Sequence, residues 1–246
     1  MNQLPRFVIT RSAILGSIVR LEGSELHHLR DVRRLGPGSA VTLIDEANGL
    51  YTGRVERIDA NYAEISLEPL ASAHDAPSII LAAGLIKGPR MDLLVEKAVE
   101  LGASELIPLL ASRSVMHDIG AQRIERWRRL ALTAAKQSLA RRRMVLQPAM
   151  TIAQLVGAVP QDTLTLVCAM DGAPLGAIVR EAKPSRIMLA CGPEGGFDPS
   201  EMALLRNAGF RAVGLGANRL RSETAALAAL SIVAGATYEI ANIAPS

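Results

Sequence analysis

Two cysteines, Cys168 and Cys191, are all that the 246 residues contain, and each lies inside or just after a strand-like apolar run. That usage reads as buried, reduced thiols rather than a disulfide or a metal site. Lysine is scarce as well, 4 against 23 arginines, so an arginine-rich stretch is partly compositional and does not by itself signal RNA. Long hydrophobic runs are absent. Proline, glycine or charge interrupts every stretch that approaches membrane length, and Met1-Asn2-Gln3-Leu4-Pro5-Arg6 lacks the apolar core of a signal peptide. With 49% hydrophobic and 21% charged residues, the expectation is a soluble cytoplasmic protein without a membrane segment, long enough for one large domain or two.

The net charge of +3 is small, but it is unevenly placed. Between Arg113 and Arg143 nine basic residues stand against Asp118 and Glu125, a local balance of +7, which leaves −4 for the rest. A concentrated basic patch on a slightly acidic body is the footprint of a polyanion partner, although a solvated helix face would carry the same charges.

Residues 1 to about 70 are β-rich. Short strand-like runs at 7–10, 17–21, 40–44, 50–58 and 63–67 alternate with Gly-Ser, Gly-Pro-Gly, Asn-Gly and Asp-Ala-Asn turns, which suggests a small barrel. Between them Ser24 to Arg34 has Leu26, Leu29 and Val32 at helical spacing behind a serine cap. His27 and His28 are adjacent and would point about 100° apart on that helix, which disfavours a metal site. Residues 69–77 lose all periodicity and read as a linker, placing a division at 72/73. From Ser78 strands (79–85, 105–110, 164–169, 187–190, 212–215) alternate with helices (91–101, 122–140, 175–182, 199–207 and 223 to about 236). Such alternation implies a parallel sheet covered on both faces, with ligands at the carboxyl ends of its strands.

Two glycine corners lie at such ends. Leu189-Ala190-Cys191-Gly192-Pro193-Glu194-Gly195-Gly196-Phe197 leads into Asp198-Pro199-Ser200-Glu201, a capping box with proline at the first helical position. Leu215-Gly216-Ala217-Asn218-Arg219-Leu220-Arg221 leads into an alanine-rich helix that Ser222 can cap. Together they would form a ligand crevice, and two tight turns of any α/β domain would have the same spacing. An anion cradle at a helix N-terminus is a rival reading, but no Gly-Lys-Ser/Thr follows and Glu194 would repel phosphate. A Rossmann-type glycine loop belongs after the first strand of its domain, and the 84–90 segment lacks Gly-x-Gly. A non-catalytic RNA-binding protein would need only the barrel and the arginine patch.

Taken in order, the motifs resemble a known family. Gly192-Pro193-Glu194-Gly195-Gly196-Phe197, Leu215-Gly216 and Leu220-Arg221-Ser222-Glu223-Thr224-Ala225 are similar to the signature of the RsmE-type ribosomal RNA uridine-N3 methyltransferases of the SPOUT class. Lys87-Gly88-Pro89-Arg90-Met91-Asp92, Glu96-Lys97-Ala98-Val99-Glu100-Leu101-Gly102, Arg113-Ser114-Val115, Arg126-Trp127, Ala134-Ala135-Lys136-Gln137-Ser138, His28-Leu29, Val32-Arg33-Arg34 and Gly49-Leu50-Tyr51 extend the resemblance over nearly the whole chain. Two positions depart from it: Leu139-Ala140-Arg141-Arg142 stands where Gly-Arg is usual, and Asn218-Arg219 where Arg and an aliphatic residue are usual.

The resemblance implies an α/β protein: a PUA-like β-barrel (1–72) that binds RNA and a SPOUT domain (73–246) with a parallel sheet and a deep trefoil knot. It also implies S-adenosylmethionine as cofactor, small-subunit (16S) ribosomal RNA as partner, a homodimer, and no metal. Met170 with Asp171-Gly172, then Leu189, Gly192, Pro193, Glu194 and Gly195, then Leu215, Gly216, Ala217 and Leu220 would enclose the cofactor. His28, Arg33, Arg34, Arg126, Arg129, Arg141, Arg142 and Arg219 would contact RNA. Uridine N3 must lose its proton before it attacks a methyl group. Arg221 is therefore expected to stabilise the resulting anion, and Glu223 to orient Arg221 or accept the proton. The plainer alternative is that Glu223 favours the helix dipole and pairs with Arg221.

Overall fold

Alternating apolar residues fix the first strands, and the structure, a computed structural model, describes residues 4–46, 49–69, 77–114, 119–138, 140 and 142–243. Arg141, Val115, Asp118, Leu139, Asn48, most of the 69–77 linker and the 72/73 division lie outside the described residues. The chain divides into two units, 1–73 with 139–143, and 74–138 with 144–246.

The first unit contains β1 (Arg6–Val8), β2 (Ile14–Leu15), β3 (Ile18–Leu21), α1 (Gly23–His27), β4 (Ala40–Ile44), β5 (Leu50–Ile58) and β6 (Ala63–Pro69). Its six strands form one sheet in the order β1-β4-β5-β6-β3-β2; β1 and β4 are parallel and the other pairs antiparallel. Phe7, Val19, Leu21, Val41, Leu43, Val55 and Ile65 point from alternate positions into one core, with Leu26 and Leu29 from the helical segment closing it. The expected helix at 24–34 is corrected in detail. It starts at Gly23, so Ser24 is inside it and not its cap, and it continues as a π-helical turn at His28–Val32, where Arg33 N–H reaches back to His28 O. Arg6 donates to the carbonyl of Ala140, which ties the 139–143 segment to this unit.

The second unit contains β7 (Ser78–Gly84), α2 (Pro89–Glu100), β8 (Glu105–Leu109), α3 (Ala121–Gln137), β9 (Val145–Leu146), α4 (Ile152–Gly157), β10 (Leu164–Pro174), α5 (Leu175–Ala182), β11 (Arg186–Cys191), α6 (Pro199–Asn207), β12 (Arg211–Gly214) and α7 (Ser222–Ile243). All six strands are parallel, in the order β12-β10-β11-β7-β8-β9. Ile80, Ala82, Met188 and Ala190 pack under α4 and α6, through Ile152, Leu155 and Leu205. Intervening residues such as Leu81 and Leu189 are equally buried; α7 lies on β7 and β11, with α2 and α5 beside it. Both faces are therefore covered, as a parallel sheet requires. The short β9 and α4 are not apparent from periodicity, α4 being six residues capped by Thr151.

The departure that matters is in β10. Cys168 and Ala173 both pair with Val213 of β12, so residues 169–172 leave the sheet and return to it at the same level. A Cβ on Gly172 would stand 2.3–2.5 Å from the Val213 backbone, so only glycine lets the returning chain pass.

Candidate cofactor site

Strands β10, β11 and β12 run parallel, so the 169–172 excursion of β10 and the segments that follow β11 and β12 gather at one end of the sheet. Three segments, 168–170, 191–197 and 215–220 without Ala217, together with Met202, Ser222 and Ala225, wall a cavity of about 440 Å³. That is within the roughly 300–1,000 Å³ range of small-molecule sites, at the strand ends where α/β sheets place their ligands. The wall is mostly apolar and backbone, with Glu194 and Arg219 as its charged members.

Local chemistry builds each wall. The 192–197 loop closes with Gly196 N–H on Pro193 O at 2.8 Å and leads into α6. The α6 capping box forms as the sequence suggests: Asp198 Oδ1 accepts from Glu201 N–H at 2.8 Å and Glu201 Oε2 from Asp198 N–H at 2.9 Å. Asp198 ionises at about 2, well below the usual carboxylate range, because the Ser200 hydroxyl and then the Glu201 amide favour its charged form. Glu201 does more than close the box. It is buried, and its Oε1 accepts from both the amide (2.7 Å) and the hydroxyl (3.0 Å) of Ser112, pinning the neighbouring segment. From that segment Arg113 Nη1 donates to Gly195 O at 3.1 Å.

Helix α7 starts one residue earlier than expected. Ser222 is its first residue and not its cap; the carbonyl of Arg221 takes the first helical bond, from Ala225 N–H at 2.7 Å. Arg221 is exposed, whereas the Glu223 side chain is only 10% exposed. Glu223 lies near Arg90, with its Oε1 4.0 Å from Arg90 Nε, and its Oε2 is buried without a hydrogen-bond partner among the described residues. Arg90, from the start of α2, also donates to Glu194 Oε1 at 2.7 Å. Sequence reasoning missed this guanidinium, since no local spacing relates it to either carboxylate.

Of the expected cofactor residues, Met170, Gly192, Pro193, Glu194, Gly195, Leu215, Gly216 and Leu220 line the cavity. Leu189 is fully buried within β11, and Ala217 is in the 215–220 loop; neither is on the described wall. Cys168 and Cys191 are on it, from adjacent strands, with their sulfurs 3.4 Å apart. The hydrogen-bond contact with Cys168, and then burial, push the Cys191 thiol well up. Arg219 and Asn218, which depart from the family pattern, also face the cavity.

The expected RNA contacts are dispersed. Arg126 and Arg129 are exposed on α3; Arg126 Nη2 meets Asp92 Oδ2 at 2.6 Å, and Trp127 Nε1 donates to Asp92 Oδ1 at 3.0 Å. In the first unit Arg33 and Arg34 are exposed after the π turn, His28 stacks edge-on against Phe7 and Arg142 is half-buried. His27 turns to Asp31 at 2.7 Å, so the two histidines diverge. Among the described residues no helix is long and apolar enough to cross a membrane.

Residues 74–234 match the model of an RNA methyltransferase domain, and residues 21–68 that of an RNA methyltransferase PUA domain. The chain belongs to this RNA methyltransferase family. It is 32% identical over 234 residues to a ribosomal RNA small subunit methyltransferase E from Synechocystis, covering 92% of this chain and 76% of that protein. A protein of the same name from Bacillus subtilis is 29% identical, covering 87% and 88% of the two chains. Among solved structures, a ribosomal RNA small subunit methyltransferase E from Neisseria gonorrhoeae bound to S-adenosyl methionine superposes with a TM-score of 0.79 at 28% identity, over 93% of this methyltransferase and 96% of that chain.

Proposed function

We propose that this methyltransferase transfers a methyl group from S-adenosylmethionine to N3 of a uridine in small-subunit ribosomal RNA. The observation that carries the reading is the cavity itself: three segments leaving adjacent parallel strands enclose a mostly apolar space of suitable size in a member of this family. The residues fit the cofactor. Met170, Leu215 and Leu220 offer apolar surface, the glycine loops offer backbone donors and acceptors, and Glu194 offers a carboxylate to a cation.

When bound, S-adenosylmethionine supplies a methyl group on a positively charged sulfur. The protein has to align the uracil N3 with that carbon and manage one proton and one developing charge. Arg221, exposed immediately before α7, would stabilise negative charge on the uracil O2 or O4. Glu223, with one buried carboxylate oxygen unpaired among the described residues, retains the capacity to accept a proton, while its ion-pair contact is with Arg90 and not with Arg221, the residue it was expected to orient. Arg126, Arg129 and Arg219, with His28, Arg33, Arg34, Arg141 and Arg142 of the first unit, would hold the RNA, mainly through phosphates.

The same reading divides the chain into a PUA-like RNA-binding barrel at 1–72 and a SPOUT domain at 73–246, knotted by a deep trefoil, working as a cytoplasmic homodimer. The strand order β12-β10-β11-β7, in which β12 lies outside β10, and the tight passage of Gly172 beside Val213 support a threaded backbone.

Single-turnover methylation of a small-subunit RNA fragment tests the central claim. Wild-type protein should yield 3-methyluridine, and Arg221→Ala should slow the chemical step at saturating cofactor. An unchanged rate would remove Arg221 from the mechanism, and failure to bind S-adenosylmethionine would leave an RNA-binding protein without this activity. Charge reversal of Arg126 and Arg129 together should weaken RNA binding and flatten its salt dependence.

A further inference from the structure

Glu194, the one carboxylate among the described residues of the cavity wall, does not act alone. Glu194 Oε1 receives Arg90 Nη1 at 2.7 Å, and the same guanidinium approaches Glu223 Oε1 at 4.0 Å. One arginine thus lies between two glutamates from different elements, and the three side chains sum to −1. The Glu194 and Arg90 side chains are 34% and 45% exposed, so their field reaches the cavity but is partly screened by water. Arg219 on the wall and Arg113 beside Gly195 also bring positive charge to this region.

The reaction changes the charge inside this cavity. The S–CH3 bond breaks with its electron pair passing to sulfur, the N3–CH3 bond forms, and the N3 proton leaves to a base. A cationic sulfonium becomes a neutral thioether. Unscreened carboxylates would hold the sulfonium tightly and favour the reactant over a transition state in which that charge is disappearing.

We propose that Arg90 is a specificity-determining residue that screens Glu194 and Glu223, and so sets how strongly the cavity distinguishes S-adenosylmethionine from S-adenosylhomocysteine. The inference rests on the cofactor reading above. Arg90 limits ground-state capture of the sulfonium and leaves the product able to compete for the site.

Calorimetric titration of the full chain with each ligand in low salt is the test, read as the ratio of the S-adenosylhomocysteine Kd to the S-adenosylmethionine Kd. Arg90→Met should raise the ratio about 3- to 10-fold, Glu194→Gln should lower it by a similar factor, and Arg90→Lys should stay near wild type. In steady state Arg90→Met should lower both KM for S-adenosylmethionine and kcat. A merely structural role for the Arg90–Glu194 contact would weaken both ligands equally and leave the ratio unmoved. That result in both Arg90→Met and Glu194→Gln would overturn the proposal. If wild-type protein bound neither ligand, the cofactor reading itself would fall and this inference with it.

Discussion

Glu201 is the side chain whose removal tests most directly how the cofactor corner is held. Its two oxygens accept three bonds, from Ser112 N–H, Ser112 Oγ and Asp198 N–H, at 2.7, 3.0 and 2.9 Å, and the residue is 7% exposed. Glu201→Ala leaves two backbone donors without partners; at about 1–3 kcal/mol for each, the loss is about 4 kcal/mol, since the Ser112 hydroxyl can rotate toward water. For a chain of this size that lowers Tm by roughly 8–16 °C. Glu201→Gln keeps the shape, but its amide NH2 must face either the two Ser112 donors or the Asp198 N–H, so about half the loss is expected. Urea unfolding read as a change in midpoint at constant m would order the proteins wild type, Gln, Ala. S-adenosylmethionine affinity should fall in the same order, because the Ser112–Arg113 segment also holds Gly195. A loss below about 1 kcal/mol in the alanine variant, or a glutamine variant no better than alanine, would refute the anchoring argument.

Three further outcomes follow from single contacts. In Gly84→Ala a new Cβ would stand 2.3 Å from Pro193 N and 2.6 Å from its Cδ; displacing the 192–197 loop should cost about 1–3 kcal/mol of stability and weaken S-adenosylmethionine about tenfold by calorimetry. Asp198, depressed to about 2 by Ser200 and the Glu201 amide, contributes stability that is full above its unfolded value of about 3.9 and is lost as pH falls toward 2. The urea midpoint advantage of wild type over Asp198→Asn should therefore be constant from pH 7 to 5 and shrink below 4; a constant difference down to pH 2.5 would contradict the assignment. Cys191, buried with its thiol pushed up, should alkylate with iodoacetamide far more slowly at pH 8 than half-buried Cys168, read by peptide mass spectrometry, and equal rates would argue against the packing.

Where the sequence was legible, one kind of force dominated. Strands β7, β8 and β11 are dominated by apolar residues buried on both faces of the sheet, and that makes such runs unambiguous. The Asp198–Glu201 box is equally local, a matter of residue types three positions apart. The Met170-Asp171-Gly172 loop was identifiable, but its return to the sheet was not, because pairing of both Cys168 and Ala173 with Val213 is a property of the neighbouring strand. Arg90 with Glu194, and Ser112 with Glu201, were invisible for the same reason: each joins residues 104 and 89 positions apart, which only the folded sheet brings together.

The two corners that look alike in sequence are built differently, and the difference bears on their proposed roles. The 192–197 loop is held from several sides, by the Pro193–Gly196 bond, by Arg90 on Glu194 and by Arg113 on Gly195, with Glu201 fixing the helix behind it. Such a loop pays little ordering entropy when a small ligand binds, which suits recognition of an invariant cofactor. The 216–219 stretch is exposed throughout, and Arg219 and Arg221 present long side chains from it and from the residue before α7. Long exposed guanidiniums suit a partner that arrives from solvent carrying phosphates and a base. Arg219 therefore belongs to the exposed wall, whereas Gly192-Pro193-Glu194-Gly195-Gly196-Phe197 forms the constrained one.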